Sequence, residues 1–192
     1  MNDLKHIVVG LGNPGRQYLG TRHNLGFEFI DRLCVRLDAK GLRLHSQALV
    51  TTATFEGSRV LLAKPQTYMN LSGRAVQGLA NFYKVPLSTI LVAHDDLDLP
   101  FGAMRLRPGG GPGGQKGVKS TIEMLGSQDF CRLRLGIGRP PGRMDPADYV
   151  LQQFARDERD ALGQILDRAC DAALAFVMDG IEAAMNRFNG GA

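Results

Sequence analysis

Tryptophan is absent from the 192 residues, aromatic side chains make up only 7%, and cysteine occurs three times, at Cys34, Cys131 and Cys170. The cysteines are odd in number, widely spaced and lack a C-x-x-C pair, which speaks against a disulfide framework and a thiolate metal site. A reducing compartment fits that usage. No apolar run approaches the roughly 20 residues of a membrane helix. The first residues lead straight into a strand-like stretch with no cleavage signal. We therefore expect a soluble, cytoplasmic protein with no membrane partner. A length of 192 residues with 44% hydrophobic content suffices for one sizeable core and would crowd a second. One domain over residues 1–192 is the expectation, and no internal repeat is evident.

Charge is modest in sum and uneven in place. The chain carries a formal +4, yet residues 104–143 hold Arg105, Arg107, Lys116, Lys119, Arg132, Arg134, Arg139 and Arg143 against only Glu123 and Asp129. Such a segment is either a solvated face or the footprint of a phosphate-backbone partner, whose affinity comes from neutralising phosphates.

The hydrophobic pattern alternates strands with helices. Residues 6–10 read as a buried strand and 24–37 as a helix bearing Leu25, Phe29, Ile30, Leu33 and Leu37 on one face. Residues 48–55 and 59–63 flank Glu56-Gly57-Ser58 as a hairpin. Asn70 is placed to cap a helix over 71–83. Residues 89–93 read as a strand that delivers Asp95 at its carboxyl end. Further strands are expected over 102–107 and 131–137, with a helix over 117–125 between them. Asp145-Pro146 starts a short helix, and a long C-terminal helix is interrupted near Asp179-Gly180. The fold class implied is α/β, a twisted, mixed and mostly parallel sheet with helices on both faces. Ligands of such sheets gather beyond the carboxyl ends of the strands.

Three polar islands interrupt this pattern: Gly12-Asn13-Pro14-Gly15 leading to Thr21-Arg22-His23-Asn24, Thr67-Tyr68-Met69-Asn70-Leu71-Ser72-Gly73, and His94-Asp95-Asp96-Leu97-Asp98. They follow strands, so they should meet in one crevice. A histidine can take a proton from water, a carboxylate can hold its ring, and an asparagine amide can donate to a developing oxyanion. No serine or cysteine nucleophile stands beside a base, which favours direct attack by water on an ester or amide. Of the four histidines, His6 heads a strand and His45 lies in a basic loop. His94 and Asp95 are strand neighbours, so at most one of them faces the crevice. His23 is left as the base.

Two competing motifs weaken on inspection. Gly10-Leu11-Gly12-Asn13-Pro14-Gly15 satisfies G-x-G-x-x-G, but Pro14 restricts the loop and the next helix starts about nine residues later. A tight turn accounts for those glycines, and no nucleotide cofactor is expected. Asp95, Asp96 and Asp98 suit a hard cation by chemistry, yet their spacing fits no calcium loop, so no metal is expected.

These islands, with Tyr18, Leu99-Pro100 and Arg132-Leu133-Arg134-Leu135-Gly136-Ile137-Gly138, closely resemble bacterial peptidyl-tRNA hydrolases over nearly the whole chain. The resemblance implies a monomeric α/β enzyme that needs no metal and hydrolyses the ester between a peptide and the terminal ribose of tRNA. It implies His23 as general base, Asp95 as its orienting partner and Asn13 in recognition of the peptide portion. Tyr18, Tyr68, Met69 and Asn70 would line the site, with Tyr68 where the family often has phenylalanine. Arg107 and Arg134 would hold tRNA phosphate. One departure stands out: the family usually reads Gly-Gly-His-Asn-Gly where this chain has Gly113-Gly114-Gln115-Lys116-Gly117. Lysine donates but does not accept hydrogen bonds while charged, so Lys116 is expected to act electrostatically, towards phosphate or the oxyanion. Non-catalytic RNA-binding relatives share the fold and supply the alternative reading. A pure binder, however, has no need to keep the base and its partner.

Overall fold

The computed structural model describes residues 4–190. Seven strands form one sheet in the order β2-β3-β4-β1-β5-β7-β6. They are β1 (Leu4–Gly10), β2 (Arg43–His45), β3 (Ala48–Phe55), β4 (Ser58–Pro65), β5 (Ile90–Asp96), β6 (Met104–Arg107) and β7 (Cys131–Gly136). The four central strands β4, β1, β5 and β7 run parallel, while β2-β3-β4 on one margin and β6 on the other pair antiparallel. The parallel centre is covered on both sides, as such sheets must be because both faces are apolar.

Period-2 alternation explains how the layers form. Val8 turns towards one cluster with Phe29, Ile30 and Leu33 of α1 (Leu25–Arg36) and the apolar face of α5 (Arg156–Phe188). Its neighbours Ile7 and Val9 turn to the other face and meet Ala75, Val76 and Leu79 of α2 (Ser72–Tyr83) and Val118 of α3 (Lys116–Leu125). Burying each large aliphatic or phenylalanine side chain contributes roughly 1.5–3 kcal/mol. Gly10 is required by close approach: a Cβ there would overlap the Gly26 carbonyl at the start of α1. The G-x-G-x-x-G pattern therefore begins with a helix-packing glycine.

Several expectations need correction. Asn70 does not cap α2: it lies inside a 3₁₀ turn, Met69–Leu71, the cap position is Leu71, and no side chain caps there. His45 is in β2 rather than a loop, edge-on to the Phe82 and Tyr83 rings at 4.4 and 5.8 Å. β5 is longer than expected and takes in His94, Asp95 and Asp96. The hairpin turn is Glu56-Gly57, both at positive φ (48° and 79°), with Ser58 already in β4. That is the left-handed pair a two-residue hairpin favours. The break in α5 falls at Gly180, where φ 84° and ψ 175° lie in a region open essentially to glycine. The short helix is α4 (Pro146–Val150), with the Asp145 carboxylate accepting from the Ala147 amide at 2.8 Å.

Candidate active site

β1, β4 and β5 end side by side, and the chain that follows each one supplies part of a single cavity of about 610 Å³. Asn13, His23, Tyr68, Met69, Asn70, Asp95 and Lys116 all line it. The parallel register decides this meeting, because it brings the carboxyl ends of β1 and β5 to the same edge.

His23 sits in a 3₁₀ turn, Arg22–Asn24, at the entry to α1. The turn is anchored by Arg22, which is 6% exposed, bonds Glu158 at 2.8 Å and stacks its guanidinium 4.4 and 4.9 Å from the Tyr149 and Phe154 ring centres. A buried cation held by a carboxylate and two aromatic faces is a rigid support. On its other side His23 Nδ1 lies 2.8 Å from Asp95 Oδ2, and Asp95 is 3% exposed. An ionised carboxylate only accepts, so Nδ1 carries the hydrogen and Nε2 is the basic nitrogen left for the cavity. That is the tautomer a general base needs.

Asn24 and Asn13 tie the islands together. Asn24 Oδ1 accepts from the Asn13 amide at 2.8 Å, and Asn24 Nδ2 donates to the Asn13 carbonyl at 3.0 Å. Asn13 Oδ1 in turn accepts from the Met69 amide at 2.7 Å. With its oxygen committed to backbone, Asn13 has its Nδ2 to offer a ligand in the cavity. The sequence marked Asn24 only as part of an island, and its role as the brace of the Asn13 loop emerges from these bonds.

The three aspartates are separately engaged. Asp95 holds His23. Asp96 Oδ2 pairs with Arg134 Nε at 2.6 Å, and Asp98 pairs with Arg139. Among the described residues no group of three or more His, Cys, Asp or Glu is arranged to hold a metal ion. His94 turns away from the cavity, is 4% exposed and donates from Nδ1 to the Asp95 carbonyl at 2.8 Å. Burial holds its pKa below the ordinary histidine value.

Three expected site residues stand outside the cavity. Tyr18 packs edge-on against Tyr68, which lines the cavity, with ring centres 6.5 Å apart. Arg107 and Arg134 line a neighbouring depression of about 290 Å³ with His94, Asp96, Arg132 and the loop 109–113. Asp96 and Gly113 border both hollows, which makes the two contiguous. Arg132, only 3% exposed, forms part of this second wall, and burial pulls its pKa down to about 10. Arg134 already holds Asp96, whereas Arg107 is exposed on the margin strand β6.

Two contributors were missed. Gln115 caps α3 and touches Asp95, whereas the sequence marks it only as a departure from the family pattern. Asp145, Pro146, Ala147, Val150 and Leu151 close one side of the cavity, although the sequence marked only a short helix start there.

The family model described as peptidyl-tRNA hydrolase matches residues 7–192. The chain belongs to the peptidyl-tRNA hydrolase family. It is 50% identical over 184 residues to a peptidyl-tRNA hydrolase of Nocardia farcinica, covering 95% of each chain. It is 49% identical over 181 residues to a chloroplastic peptidyl-tRNA hydrolase of Arabidopsis thaliana, covering 92% of this chain and 62% of that one. Among solved structures it superimposes on the Acinetobacter baumannii peptidyl-tRNA hydrolase with a TM-score of 0.90 at 34% identity, covering 99% and 96% of the two chains. These relationships make the chain a peptidyl-tRNA hydrolase by family, an ester hydrolase linked to translation, and do not favour the purely RNA-binding alternative. No described helix is long and apolar enough to cross a membrane.

Proposed function

We propose that the protein cleaves the ester of peptidyl-tRNA by direct attack of water, with His23 as general base, freeing tRNA and peptide. The observation that carries this reading is the bond from His23 Nδ1 to the buried Asp95 carboxylate, which leaves Nε2 to the cavity. Nε2 takes a proton from water as the oxygen attacks the ester carbonyl, and Asp95 stabilises the imidazolium. The Asn13 amide donates to the substrate carbonyl region and favours a blocked amino terminus. Asn70, Met69 and the Tyr68 ring receive the terminal adenosine, and the exposed tyrosine face supplies a stacking surface.

Lys116 stands at the first position of α3, exposed and on the cavity lining. A cation there opposes the helix dipole, a local cost that a ligand phosphate or oxyanion offsets. Arg107, beside the adjoining depression, supplies phosphate contact, and Arg134 contributes through its pair with Asp96. The tRNA acceptor end then spans the two contiguous hollows. We read the protein as acting as a monomer in the cytoplasm, on the strength of its family and composition.

The test compares hydrolysis of N-acetylated and unblocked aminoacyl-tRNA by the wild-type protein and by His23→Ala. Cleavage of the blocked substrate alone, lost in the variant and unaffected by chelator, is expected. Tight tRNA binding without cleavage would refute the hydrolytic reading, and activity restored by a divalent metal after chelation would refute the metal-free mechanism.

A further inference from the structure

We infer that Gln115 is a positioning residue for this reaction: its amide clamps the Asp95 carboxylate in the orientation that keeps His23 Nε2 basic. The inference rests on the hydrolase reading given above. It starts from the two ends of one side chain. Gln115 Oε1 accepts from the Gly117 and Val118 amides at 2.5 and 2.9 Å, which makes Gln115 the N-cap of α3. With the oxygen committed to the helix, Nε2 must face the other way. It lies 2.9 Å from Asp95 Oδ1 and 3.3 Å from the Met69 sulfur. Gln115 is 8% exposed, so water competes little for these bonds.

The consequence falls on the carboxylate. Among the described residues, the side chains holding it are Gln115 on Oδ1 and His23 on Oδ2. A carboxylate held at one oxygen can swing about its Cβ–Cγ bond, whereas one held at both cannot. Charge nearby is already balanced: Asp96 is paired with Arg134, and His94 donates to the Asp95 backbone carbonyl rather than its side chain. The α3 N-terminus thus reaches the base through three hydrogen-bonded links, α3 to Gln115, Gln115 to Asp95 and Asp95 to His23. Glutamine suits the position because one planar group both accepts and donates, here on opposite sides.

The experiment is Gln115→Ser. Serine is a good N-cap but is too short to reach Asp95, so capping is kept and the clamp is lost. We would measure kcat and KM on N-acetylaminoacyl-tRNA, the thermal midpoint, and the proton NMR resonance of His23 Nδ1–H. The midpoint should stay near wild type. Turnover should fall roughly tenfold, a fraction of the 10²–10⁴ that a positioned base supplies, with KM little changed. The Nδ1–H resonance should move or broaden. If Gln115→Ser does not fold, Gln115→Asn, a cap former one methylene shorter than glutamine, serves for the same readouts. An unchanged kcat or an unmoved resonance would overturn the inference and leave Gln115 as a helix cap. A wild-type protein that cleaves nothing would refute the hydrolase reading, while the NMR comparison would still decide whether the clamp exists.

Discussion

Replacing Asp95 by asparagine sets the constraints of the site against one another. Both partners of the carboxylate are donors, His23 Nδ1–H at 2.8 Å and Gln115 Nε2 at 2.9 Å. An amide has one acceptor oxygen, so one donor must face an NH₂ group. Gln115 cannot turn to resolve this, because its oxygen holds the Gly117 and Val118 amides. The relief available is for His23 to move its proton to Nε2 and accept at Nδ1, which removes the base from the cavity. The loss should approach the contribution of a positioned general base, about 10³-fold in kcat/KM, or about 4 kcal/mol of transition-state stabilisation. Folding should suffer less, by about 1–3 kcal/mol for a strained buried polar contact. The assay is release of tRNA from N-acetylaminoacyl-tRNA under single-turnover conditions, with circular dichroism confirming the fold. Activity within tenfold of wild type would refute the orientation argument.

Three other perturbations probe separate parts of the molecule. Lys116→Asn should raise KM for tRNA substrate roughly threefold through a lost electrostatic contact and stabilise α3 slightly by removing a cation from its N-terminus; turnover and tRNA affinity both unchanged would count against a role for Lys116. Arg107→Ala should raise KM at constant kcat and reduce the slope of log affinity against log salt by about one, so an unaltered slope in a salt titration would remove Arg107 from the phosphate contacts. The lowered His94 pKa makes stability depend on pH, because the unfolded state binds the proton first as pH falls through about 6.5, the ordinary histidine value. The native state therefore loses stability from neutral towards acid pH. Thermal midpoints between pH 7.5 and 5.5 should fall for wild type and fall less for His94→Asn; equal slopes would show that His94 does not carry the effect.

Legibility differed from element to element for physical reasons. α1, α2 and the β3-β4 hairpin declare themselves because their apolar spacing has one dominant period and their ends carry turn residues. β2 escaped because Arg43-Leu44-His45 is a short, largely exposed margin strand that exists only by pairing with β3. Asn70 looks like a cap in the sequence because capping chemistry is common to turns and helix starts, and here a 3₁₀ turn intervenes. In the site, His23 and Asp95 stood out as the residue types that base catalysis requires. Gln115 did not, because an amide in a glycine-rich loop has no distinctive periodicity or charge.

The sequence by itself determined the class of chemistry and the layered α/β plan. Residue type decides what can hold a proton, and alternating periods decide which faces are apolar. Only the tertiary structure decided which islands touch. The parallel pairing of β1 with β5 carries Asn13 and Asp95 to one edge, and the Arg22 anchor against Glu158, Tyr149 and Phe154 turns His23 towards them. It also separated Arg107 and Arg134 from the cavity that His23 lines and joined Gln115 to Asp95. These are contacts between residues far apart along the chain. Local propensity carries no information about them, because they follow from strand order and register.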